Sequence, residues 1–145
     1  MDFLVKIPFV ELLGFELLRF ERGEAEIACQ LREDLTNSWG VAHGGVSMTL
    51  LDVVMAHAAR SPDETGVAES SGVVTIEMKT SFMRPGLGRL VGHGRRLHRT
   101  ASMAFCEASL FDAGNELVAH ATGTFKYLKG LPAGGKRIQR LNASD

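Results

Sequence analysis

Cysteine is scarce in this chain, at two residues of 145, and tryptophan and tyrosine occur once each. Cys29 and Cys106 form neither a disulfide framework nor a Cys-x-x-Cys pair, and both sit in apolar, strand-like surroundings. They read as buried thiols in a reducing cytoplasm. Long hydrophobic runs are missing too. The longest, Val46 to Ala59, is shorter than the roughly 18 residues of a membrane helix and is broken by Asp52 and His57. Met1-Asp2-Phe3-Leu4-Val5-Lys6 lacks a basic region ahead of an apolar core, so no signal peptide and no membrane partner are expected. No Gly-x-Ser-x-Gly elbow occurs, which leaves a serine hydrolase triad unsupported. His93, His98 and His120 fall on separate strand positions without zinc-site spacing, so no metal is expected.

What is present fits one folded domain. The chain is 45% hydrophobic, too apolar for wholesale disorder, and too short for two full domains. Its net charge of −1 hides an asymmetry. Residues 1–78 hold five Lys/Arg against thirteen Asp/Glu, whereas residues 79–145 hold eleven against four. The arginines of the second half, Arg84, Arg95 and Arg96 among them, suit either an anionic partner such as phosphate or a solvated strand face. Nucleic acid is not expected, because a basic helix, an aromatic stacking platform and net positive charge are all lacking.

Punctuation along the chain predicts the elements. Pro8 to Gly14 has proline in its first turn and glycine past its end, the pattern of a short helix. Strands are expected over Phe15–Phe20 and Ala25–Leu31, turning at Arg22-Gly23. Asp34 to Ala42 reads as a polar loop. His43-Gly44-Gly45 then opens an apolar segment reaching Arg60, too long for an ordinary strand and apolar on every side, as in a helix buried all round. After a Ser/Gly stretch, Val73–Met83 alternates. That alternation puts Val74, Ile76, Met78 and Phe82 on one side, with Thr75, Glu77, Lys79 and Ser81 on the other. Arg89–Arg99, Met103–Phe111 and Glu116–Leu128 complete an α+β chain with a single antiparallel sheet curled around one helix. Residues 1–129 form the domain, and 130–145 are expected as a loose basic tail.

Within the long helix Asp52 is the one acid, and a carboxylate placed there must be bonded, paired or functional. Burial would raise its pKa toward that of a general base. Gly44 and Gly45 offer helix N-terminal amides unobstructed by side chains, suited to a phosphate or a polarised carbonyl oxygen, and equally to packing. Eight residues separate Gly44 from Asp52, about 12 Å along a helix. One reacting carbonyl cannot touch both within a chain, so a shared role predicts a two-fold dimer with two sites. His57 lies elsewhere around the helix and reads as a satisfied core histidine.

Asn37-Ser38-Trp39-Gly40-Val41-Ala42-His43-Gly44-Gly45, followed by Leu51-Asp52, resembles the signature of the PaaI-like hotdog-fold acyl-CoA thioesterases. Val74 to Pro85, ending in Phe82-Met83-Arg84-Pro85, and Gly114 to Phe125 are similar to later strands of that family. The resemblance implies a homodimer or dimer of dimers (a homotetramer) that hydrolyses an acyl-CoA, aromatic or medium-chain. No cofactor is implied beyond the CoA of the substrate. It implies that Asp52 activates water or attacks the thioester, and that the Gly44 N–H polarises the carbonyl. Asn37 would line the site and Thr75 would position the water. His43 would organise the loop and, with Gly45, border the substrate, and Arg84, Arg95 and Arg96 are candidates for the CoA phosphates. A non-catalytic acyl-CoA or aromatic-ligand module would share the fold. A hydratase would need a His-plus-acid arrangement that these residues do not assemble.

Overall fold

The structure, a computed structural model, describes residues 1–130 and 137–141. Helix α1 (Pro8–Leu13) stops at Gly14, whose φ of 72° closes the last turn. Strands β1 (Glu16–Glu21) and β2 (Glu24–Gln30) join through Arg22 and Gly23, both at positive φ, as a tight hairpin requires. A single 3-10 turn at Glu33–Leu35 leads to α2 (Gly44–Arg60). Strands β3 (Gly72–Phe82), β4 (Arg89–Arg99), β5 (Met103–Phe111) and β6 (Leu117–Leu128) follow. All strand pairs are antiparallel, in the order β1-β2-β4-β5-β6-β3, so β1 and β3 are the edges. This is the hotdog arrangement, one α+β layer pair with the sheet wrapped on a central helix. No helix among the described residues is long and apolar enough to cross a membrane.

The sheet curves because its register slips in β1, β3, β4 and at the β5–β6 end, and each bulge adds local twist. Leu50, Leu51, Val54, Met55 and Ala58 of α2 are fully buried against Ile27, Leu90, Leu110 and Phe125 of the sheet. Gly94 lets helix and strand touch: a Cβ there would sit 2.7 Å from the Val54 carbonyl oxygen. At the far end of α2 the unpaired carbonyls are taken up by the sheet. Arg96 Nη1 donates to Ala58, Ala59 and Ser61, and the Tyr127 hydroxyl also donates to Ala59.

Two expectations change. The helix is not buried all round: Gly45, Met48, Thr49, Asp52, Val53, Ala56 and Arg60 form a stripe that the chain's own sheet leaves uncovered or half-covered. The alternation read for β3 also breaks, because a bulge between Thr75 and Glu77 shifts the parity of the strand. Val73 and Thr75 therefore share the helix-facing side with Met78, Thr80 and Phe82, while Glu77 turns outward to accept from Thr124 Oγ1. Of the stretch expected to be a loose tail, 131–136 and 142–145 lie outside the described residues. Arg137–Leu141 runs beside the N-terminal segment, where Lys6 N–H donates to Gln139 and Leu141 N–H to Leu4.

Gly94→Ala is expected to push α2 off β4 and cost about 1–3 kcal/mol. Urea unfolding should show a lower midpoint at an unchanged slope.

Candidate active site

The segment Thr36–Ala42 is a closed loop held by an isolated bridge between its ends. Asn37 organises it: Oδ1 accepts from Trp39 N–H at 2.9 Å and from Val41 N–H at 3.4 Å. Its carbonyl accepts from Gly40 N–H, and its own N–H donates to Val41. Gly40 has a φ of 76°, and Trp39 stands out at the tip, 86% exposed. The Asn37 oxygen is thus committed to the loop.

His43 caps α2, with Nδ1 accepting from Gly45 N–H at 2.8 Å, while its carbonyl accepts from Val46 and Ser47. Gly44 N–H is left without an acceptor among the described residues. Gly45, expected as a substrate neighbour, has its amide occupied by His43, so the anion-binding capacity of this helix end is concentrated on one group. The Phe82 ring packs here, 3.5 Å from where a Gly44 Cβ would lie. That neighbour was hidden in the sequence, since Phe82 read as strand packing.

Two turns along α2, Asp52 occupies the open stripe. Thr75 Oγ1 donates to its Oδ1 at 2.6 Å. Burial pushes the carboxyl above its ordinary 3.8, and the Thr75 hydrogen bond partly offsets that. Thr80, on the same face of β3, has a buried hydroxyl with no partner. Asp52 and Thr75 thus meet directly, Gly44 and His43 share the helix start, and the two groups sit at different points along one rigid helix.

The arginines divide. Arg84 belongs to the Gly44 end of the molecule, where Nη1 donates to the Leu117 carbonyl at 2.9 Å and Nε lies 3.7 Å from Glu116. Arg95 is on the outer sheet face, paired with Glu107 at 2.7 Å. Arg96 is spent on the C-terminal carbonyls of α2, beside a cavity of about 1130 Å³ that Asp63, Glu64 and Arg99 also line. Neither Arg95 nor Arg96 gathers with Gly44 or Asp52 in the protomer. His57 is a core histidine as expected, but only one of its ring nitrogens is satisfied. It is buried and pushed down to about 4, so it is neutral at pH 7 and Nδ1–H donates to the Val53 carbonyl at 2.8 Å. Its Nε2 has no partner among the described residues.

Comparison with known proteins gives the family and the fold. A family model described as the thioesterase superfamily matches residues 40–119, from the loop to β6. The medium/long-chain acyl-CoA thioesterase YigI of Salmonella typhimurium is 28% identical over 136 residues, covering 85% of this chain and 87% of its own. A conserved protein from Pseudomonas aeruginosa superposes with a TM-score of 0.77 at 30% identity, over 86% of this chain and 96% of its own. A mutant of the phenylacetic acid degradation protein PaaI from Thermus thermophilus gives a TM-score of 0.73 at 28% identity, over 84% and 100%.

Carbon-detected NMR titration should find the Asp52 carboxyl above its ordinary value, and Thr75→Val should move it higher still. A raised acid favours its proton in the folded chain, so its contribution to stability is present in acid and lost as pH rises through the raised value. Asp52→Asn should therefore melt above wild type at neutral pH, with the gap closing in acid.

Proposed function

Because the chain belongs to the thioesterase superfamily and is a thioester hydrolase, we propose that it hydrolyses acyl-CoA to the free acid and CoA at sites shared by two copies. The reading is carried by one observation. Asp52, a half-buried carboxylate with a burial-raised pKa, is held by Thr75 on a helix stripe that its own protomer leaves open. YigI, named for acyl-CoA hydrolysis, and PaaI, named for phenylacetic acid degradation, support the substrate class.

Asp52 acts as general base. Its free oxygen takes a proton from a water molecule, which attacks the thioester carbonyl, while Thr75 fixes the other oxygen. The carbonyl oxygen gains negative charge and is met by the Gly44 N–H of the partner copy, backed by the positive end of that helix. Collapse of the tetrahedral species expels CoA thiolate. The pairing must cross between copies because about 12 Å of helix separates the two groups within one. The open stripe, the edge strand β3 and its exposed Ile76 and Phe82 supply the apolar surface for a second copy. Arg84 is the candidate for a CoA phosphate. The buried thiols Cys29 and Cys106, the latter pushed up to about 12, support a reducing, cytoplasmic setting.

Asp52→Ala should fold and lose turnover by about a hundredfold or more. Gly44→Pro is a comparably clean deletion. Gly44 is the first helical residue, where proline is favoured, and His43 before it has an extended backbone compatible with proline. The free N–H is replaced by the pyrrolidine ring, whose Cβ would meet the Phe82 ring at an ordinary contact distance of 3.5 Å, and turnover should fall by about a hundredfold. Co-assembling the two inactive variants should restore one of the two shared sites. Thiol-release assays that find no recovery, in a mixed assembly confirmed by differently tagged chains, would exclude sharing.

A further inference from the structure

Past Asp52 the groove between α2 and β3 does not close. One helical turn beyond Asp52 is Ala56, and two residues before Thr75, on the same face of β3, is Val73. Both line a cavity of about 480 Å³ that Ile7 and Ile138 also wall; Asp52 and Thr75 themselves are not among its lining residues, and Ala56 and Val73 are its nearest approach to them along α2 and β3. Its polar lining is cationic, with Arg60, Lys6 and Arg137 and no carboxylate among the lining residues. Lys6 is already paired with Glu11 at 3.2 Å. Arg60 forms no ion pair among the described residues. Its Nε donates to the Ser71 carbonyl at 2.9 Å, and its terminal amino groups have no partner among the described residues. Glu69 is the nearby acid, but its oxygens are taken by Arg99 at 3.0 Å and Ser71 N–H at 3.1 Å. Arg140, donating to the Ser70 carbonyl, adds like charge from the side. His57 also lines the cavity, and its buried Nε2 is unpartnered.

We propose that this cavity receives the acyl group, and that Arg60 selects acyl chains whose far end carries a carboxylate. The inference rests on the acyl-CoA reading above and names the substrate class within it. Arg60 lies eight residues beyond Asp52, about 12 Å along the helix, so a medium-length chain whose thioester carbon is at Asp52 reaches it. An aliphatic chain would fill the apolar walls formed by Ile7, Ala56, Val73 and Ile138 but leave a half-buried guanidinium without a counter-ion. A terminal carboxylate matches the two free amino groups of Arg60 in the paired geometry that guanidinium favours.

The test compares octanedioyl-CoA with octanoyl-CoA by thiol release. The wild-type kcat/KM should favour the diacid chain by about tenfold or more. Arg60→Gln should bring that ratio close to one, and Arg60→Lys should retain part of it. A purely architectural role for Arg60, holding Ser71, would lower both substrates together and leave the ratio unchanged, which would overturn the proposal. Inhibition of the wild-type protein by octanedioate and octanoate reads the same preference without any variant, and the diacid should inhibit at the lower concentration. Turnover of octanoyl-CoA with equal or lower turnover of octanedioyl-CoA sinks the charge selection alone. Absence of thiol release from both sinks the acyl-CoA reading beneath it.

Discussion

The sheet of six strands leaves one stripe of the seventeen-residue helix α2 uncovered or half-covered, and the candidate site lies on that stripe. On the covered side, Leu50, Leu51, Val54 and Met55 are packed to exclusion of solvent, and Gly94 brings strand and helix into contact. That packing makes α2 a rigid rod. It fixes the spacing between the free amide of Gly44 and the carboxylate of Asp52, and neither group can approach the other by side-chain motion. The proposed sharing of sites between two copies follows from that fixed separation.

Both ends of the rod are finished differently, and the difference matters for where charge can gather. The N-terminal end spends the Gly45 amide on His43 and leaves that of Gly44 open, so the positive end of the helix dipole converges on one donor. The C-terminal end is closed by Arg96 and Tyr127, which satisfy its carbonyls and take a guanidinium out of contention for phosphate. Between them Asp52 sits at a cost. Its raised pKa means that the ionised form, which the proposed base catalysis requires, is disfavoured by folding. The Thr75 hydroxyl recovers part of that loss, so a single hydrogen bond both tunes the acid and orients it.

Much of this was legible in the residues. Proline and glycine punctuation marked α1, the Arg22-Gly23 turn and the start of α2, because those residues impose local backbone geometry whatever surrounds them. The length of the apolar segment decided helix over strand. Asp52 stood out because an acid in an apolar helix carries a desolvation cost that must be met. The faces of β3 were misread for an equally physical reason. A strand's side-chain period of two gives no sign of an inserted residue, and the bulge at Ile76 reverses every assignment on one side of it. Arg95 and Arg96 illustrate the same limit. Adjacent in sequence, they point to opposite faces of β4, one to Glu107 and the other to the end of α2.

The amino-acid sequence by itself determined the order and type of the elements, the helix that carries Gly44 and Asp52, and the distance between those two residues, since all are set by local propensity and the fixed rise of a helix. Tertiary structure alone decided which stripe of that helix stays open, that Thr75 rather than solvent holds Asp52, and that Ala56, Arg60 and Val73 wall a cavity further along the same helix and strand. Those outcomes depend on how far the sheet curls and where its register slips, which are sums over strands distant in sequence and leave no mark in any one of them.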